Sequence, residues 1–140
     1  MADTTETFQG FTLWVTPRPG LTETEQAAYL RRLEDYIHGQ DIFMRGDHLR
    51  GVLWSPERSM TAEDQVTLIN WLIDDPAVSM FSLSLLNDTV DDYALREEGY
   101  LDVQPWDLGL IGLTVVYRMG RVDAKTYLQI LGGFVRPAPH

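Results

Sequence analysis

Cysteine is absent from the 140 residues, which excludes disulfides, thiolate metal sites and a thiol nucleophile and leaves stability to packing alone. Bases are scarce: 11 Lys and Arg stand against 21 Asp and Glu, for a formal net charge of −10. A field of that sign repels a phosphate backbone and favours basic protein surfaces, so direct nucleic-acid binding by the body of the molecule is not expected. Long apolar runs are missing too. The longest, residues 108–117, is interrupted by Gly109, Gly112 and Thr114 and is about half of the roughly 20 residues a spanning helix needs. The opening MADTTETFQG has neither a basic segment nor an apolar one after it, unlike a secretory signal. The expectation is a soluble cytoplasmic protein with no membrane partner.

Chemistry-bearing motifs are equally thin. Histidines 38, 48 and 140 are isolated, and no H-x-x-x-H, G-x-S-x-G, P-loop or Rossmann glycine pattern occurs, so neither an enzyme nor a cofactor site is expected. Asp88, Asp91, Asp92, Glu97 and Glu98 have acidic density but not the alternating ligands, glycine and terminal glutamate of a calcium loop, and no metal site is assigned to them. Asp74-Asp75 is read as a helix terminus, with two like charges beside carbonyl dipoles.

What the chain does contain is a repeated scheme. LWVTPRPGLTETEQ at residues 13–26 is echoed by LWSPERSMTAEDQ at residues 53–65. In the first copy Phe11, Leu13 and Val15 alternate with Thr12, Trp14 and Thr16, the period of a strand with one buried face. Pro17 to Gly20 breaks it, and Thr22 with Glu25 forms a capping box that starts a helix. Tyr29, Leu30, Leu33, Tyr36 and Ile37 follow at helical spacing, with Gly39 placed to end it. In the second copy residues 52–54 are a short strand and Thr61 with Asp64 a weaker box. Leu68, Ile69, Leu72 and Ile73 make the apolar stripe, which Pro76 stops. Phe81, Leu83 and Leu85 alternate with serines, the clearest strand. Residues 42–45, with Gly46-Asp47 as turn, complete a hairpin.

The order to residue 86 is β-α-β-β-α-β. The expected fold is therefore α+β: a ferredoxin-like βαββαβ sandwich with a four-stranded antiparallel sheet and two helices on one face. Its boundaries are residues 1–87, followed by residues 88–140 as an acidic connector and a mostly helical apolar extension packed on the core. Trp14 and Trp54 hold equivalent places in the two copies and, if Leu13 and Leu53 face the helices, point to the opposite sheet face. Such a face is where RNA-recognition modules stack bases, but the accompanying basic residues are not seen, so the face is expected to be covered by the C-terminal third or by a second chain.

Residues 87–107 read as a connector with one helical turn near residues 91–97. Residues 86–107 carry seven acids and one base, while residues 108–140 carry one acid and four bases. Residues 106–119 and 123–131 read as two helices, the second capped by Asp123 and ended by Gly132-Gly133. Val115 to Tyr117 also fits a strand, so a hairpin through Met119 to Arg121 stays open.

Residues 8 to about 88, through FQGFTLWV, PGLTETEQ, GVLW, SMTAEDQVTLINWL and the strand ending in LSLLND, resemble the YggL-like family, small proteins associated with the large ribosomal subunit. The resemblance implies the same order of strand, capped helix and hairpin, and a ribosome-associated role. Asp88 onward has no counterpart in it.

From the residues themselves the leading expectation is a non-enzymatic acidic protein that inhibits or neutralises a basic macromolecular partner, such as a nuclease, toxin or nucleic-acid-binding defence protein, in the manner of immunity or anti-CRISPR factors. Charge steers the encounter and aromatics anchor it. The candidate binding residues are Asp88, Asp91, Asp92, Glu97, Glu98 and Asp102 for steering, with Tyr100, Trp106, Trp14 and Trp54 as anchors. A homodimer that buries the aromatic sheet face is the third possibility.

Overall fold

The computed structural model describes residues 9–47, 49–84, 86–88 and 100–134. In chain order the elements are β1 (Gln9–Pro17), α1 (Glu23–Gly39), β2 (Phe43–Asp47), β3 (Arg50–Trp54), α2 (Ala62–Asp74), β4 (Val78–Ser84), β5 (Asn87–Asp88), β6 (Tyr100–Val103), α3 (Leu108–Arg118) and α4 (Ala124–Phe134). Among the described residues this is an α+β fold with an antiparallel sheet of five strands in the order β2-β3-β1-β4-β6 and four helices; the two-residue β5 pairs with the start of β1.

The alternation of β1 sets the layers. Phe11, Leu13 and Val15 are buried on the inner face with Leu53, Phe81 and Leu83 of the flanking strands, and the inner sides of α1 (Tyr29, Leu33, Ile37) and α2 (Leu68, Ile69, Leu72) join them in one cluster. Both helices start as their sequences dictate. Thr22 Oγ1 accepts from the Glu25 N–H at 3.1 Å while Glu25 Oε1 accepts from the Thr22 N–H at 2.8 Å, and Thr61 with Asp64 closes the same reciprocal pair. Each box satisfies donors that a helix N-terminus otherwise leaves open. At the far end of α2, Asp75 is extended ahead of Pro76 and caps the helix.

Several expectations are corrected. The sheet has a fifth strand where a connector is expected: Leu101 and Val103 of β6 pair with Leu83 and Phe81 and enter the core. The end of α1 stands as expected: Gly39 is its last residue, and Asp41 at φ 59° makes the reversal, with the Ile42 N–H returning to the Ile37 carbonyl at 2.9 Å. Gly46 and Asp47 are strand rather than turn, paired with Gly51 and Arg50. Gly46 sits at φ +119°, and a Cβ on it would lie 2.5 Å from the Arg50 carbonyl oxygen, so only glycine fits this close pairing.

The C-terminal third is helical rather than a hairpin, and Asp123 caps α4 through the Thr126 N–H at 2.8 Å. The helix nevertheless continues through Gly132 and Gly133 to Phe134. Leu110, Leu113, Tyr127 and Leu131 extend the inner core, and Arg118 hydrogen-bonds Asn70 and Asp74 of α2. Thus α4 packs against α2 and α3 against α4, and neither helix covers the aromatic side of the sheet.

Candidate binding surface

The outer face of the sheet is built by the positions that alternate with the core. Strand register lines up Phe43 with Trp54; then Arg45, Val52 and Thr12; then Arg50, Trp14, Ser82 and Asp102; then Thr16 and Met80. Trp14 is 41% exposed, and Phe43 and Met80 are exposed as well. Two ring contacts order this surface. Phe43 stacks on Trp54 with centroids 5.5 Å apart, and the Arg50 guanidinium carbon lies 4.3 Å above the Trp14 ring. A cation–π pair and a stacked pair each hold a large side chain in one orientation.

Beneath these groups lies a polar seam. Ser84 Oγ accepts from the Thr12 N–H and from Thr12 Oγ1, both at 2.9 Å and buried, and Gln65 Nε2 donates to the Ser84 carbonyl at 2.9 Å. Ser82 donates to the Asp102 carboxylate, which fixes one negative charge on the outer face. Trp54 Nε1 is enclosed and has no hydrogen-bond partner among the described residues.

The anticipated site residues divide. Trp14, Trp54 and Asp102 lie on this face, and the backbones of Tyr100 and Asp88 pair with Ser84 and Gln9. Asp91, Asp92, Glu97 and Glu98 lie outside the described residues. The chain leaves the described region at Asp88 and rejoins it at Tyr100, so the acidic run is tethered at both ends to strands of this sheet. Trp106 is exposed but stands in the turn before α3, away from the strand positions. Phe43, Arg50 and Met80 were missed from the sequence. Phe43 becomes visible only when the hairpin is paired, because it lies directly across from Trp54. Arg50 also corrects the expectation that no basic side chain accompanies the tryptophans.

The acids at the end of α2 are satisfied within the chain. Asp75 is buried and takes two hydrogen bonds from Arg32, at 2.8 and 2.9 Å, and Asp74 accepts from Arg118 at 3.0 Å. Arg58 reaches both oxygens of Asp64, at 2.7 and 3.0 Å. Burial pushes the Asp64 carboxyl up, but the bonds from Arg58 and Thr61 outweigh it and hold the group below its ordinary value. Burial pushes the Tyr36 hydroxyl up to about 12, aided by the Asp64 charge.

Two hollows lined by described residues are small. One hollow between α1 and β2 holds about 160 Å³ and another, beside Arg18 and Pro76, about 170 Å³, both below the ~300 Å³ at which ligand pockets usually begin. Among the described residues no group of three or more His, Asp or Glu is placed to hold a metal ion, and no helix is long and apolar enough to cross a membrane. Comparison with family models, with curated proteins and with solved structures found no match.

Proposed function

We propose that this chain is a non-enzymatic binding protein that occupies a basic protein partner through the outer face of its sheet. The observation that carries the reading is the open face itself, with Trp14, Phe43 and Met80 exposed and the first two oriented by ring contacts. Pre-oriented aromatics are the usual anchors of a protein interface, since little side-chain freedom is lost on docking. The partner's charge follows from the net −10 of the chain and from the acidic run that joins this sheet at Asp88 and Tyr100. Inhibition or neutralisation of a basic nuclease, toxin or nucleic-acid-binding protein is the activity such a surface suits. It acts at the surface, and the cytoplasm is the proposed location.

The proposed framework for residues 9–84 is the ferredoxin-like sandwich, supported by the antiparallel order β2-β3-β1-β4 and the two capped helices. Base stacking on the same face is disfavoured because Arg50 already covers a face of the Trp14 ring. The resemblance to YggL-like proteins supports ribosome association as a second reading, with the paired strand-and-capped-helix units as its observation. Co-sedimentation with large subunits tests it.

The experiment for the main reading is affinity capture from the native host with the full chain and with a Trp14→Ala, Phe43→Ser variant, washed at low and high salt. A basic protein retained by the parent at low salt, and lost both from the variant and at high salt, supports the reading. Equal retention by the two chains contradicts it.

A further inference from the structure

Helix α3 presents a second surface that the proposed function does not use. At 3.6 residues per turn, Leu110, Leu113 and Thr114 point into the core and are buried, with Tyr117 half-buried beside them. The opposite side carries Leu108, Ile111, Gly112, Val115, Val116 and Met119, all exposed, with Leu108 at 83% and Met119 at 61%. Trp106 is exposed two residues earlier. A helix that is apolar on every side is ordinarily enclosed on every side, yet α3 is enclosed on one only.

We infer that α3 is the contact of a homodimer, in which it packs antiparallel against the α3 of a second copy about a two-fold axis. Three features single out a second copy as the occupant. The first is extent: Leu108, Ile111, Val115, Val116, Met119 and Trp106 are each between 38% and 83% exposed, far more than the singly scattered apolar side chains of an ordinary monomer surface and of the kind from which an interface of ~800 Å² per partner is built. The second is self-complementarity, which a two-fold contact demands of one surface. Turned antiparallel about the middle of the helix, Leu108 meets the partner copy's Met119, and the gap at Gly112, where an added Cβ would touch nothing within 4 Å, receives the branched Val115 or Val116. The third is charge: Asp107 stands at the N-terminal end and Arg121 just beyond the C-terminal end, so an antiparallel pair sets opposite signs and opposite helix dipoles together. A lipid surface fits less well, because the net charge of −10 is repelled by anionic headgroups.

The test is the mass of the full chain in solution, by light scattering over a dilution series, for the parent and for Val115→Glu. Val115 is half exposed in the single chain, so the substitution leaves the fold intact, as circular dichroism would confirm. The parent is expected at about twice its 16.0 kDa and the variant at the single mass. A parent that stays monomeric throughout, whether or not it binds anionic vesicles, overturns the proposal, as does a variant that remains dimeric. Should Val115→Glu fail to fold, the absence of native cysteine offers a second reading: Val115→Cys must cross-link to a covalent dimer under mild oxidation while Glu23→Cys on α1 does not. Failure of Val115→Cys to cross-link also overturns it. Neither result depends on the sheet-face partner, which is tested by Trp14 and Phe43.

Discussion

Neighbouring residues of β1 have opposite fates, and this separates the two faces energetically. Leu13 is enclosed by both flanking strands and the helices, whereas Trp14 is held by Arg50 with much of its ring in solvent. Leu13→Ala is expected to cost about 2–5 kcal/mol in urea unfolding, the usual range for a cavity in a packed core. Trp14→Ala should cost roughly 1 kcal/mol, the scale of a cation–π contact. Asp64 supplies a pH signature. Its folded-state pKa lies below the ordinary value of 3.8, so the unfolded chain binds its proton more readily and stability rises with pH. The contribution is full above the unfolded value and is lost as pH falls through the folded one. Thermal melts from pH 5 downward should therefore show Asp64→Asn losing less stability than the parent. Equal losses would contradict the assignment.

Secondary-structure elements divide by whether their signals are local. The two helix starts were legible because a capping box is complete within four residues, and β1 was legible because its alternation is long. β6 was hidden: Tyr100 to Val103 is four residues inside an acidic stretch, and only its distant partners Phe81 and Leu83 make it a strand. The register of β2 on β3 was misplaced for a similar reason, since Gly46-Asp47 has turn chemistry but the pairing carries it as strand. Gly132-Gly133 failed as a stop because α4 is held by Tyr127 and Leu131 in the core, which outweighs about 1 kcal/mol of unfavourable propensity per glycine. At Gly46 the backbone leaves a sharp test. Gly46→Ala should destabilise the hairpin by about 1–3 kcal/mol, from its positive φ and the contact with the Arg50 carbonyl. A melt unchanged from the parent would argue against this register.

At the scale of the whole molecule, one core supports two exposed apolar surfaces on different sides. The sequence indicated the first through the outward tryptophans, but it could not show that α3 and α4 would pack on the α2 side of the molecule rather than on that face. The second was concealed because a helix apolar on all sides looks like ordinary core until its surroundings are known. Asp88 and Tyr100, which bracket the acidic segment in sequence, both belong to strands of the sheet. If the sheet face is where the protein works, long-range attraction should speed association and the rings should govern its lifetime. The most direct measurement is the affinity of a captured basic partner for the parent and for the Trp14→Ala, Phe43→Ser variant at low and at high salt. The account predicts at least a tenfold weakening, about 1.4 kcal/mol, in the variant and a fall in affinity with salt for both chains; equal affinities for parent and variant would contradict it.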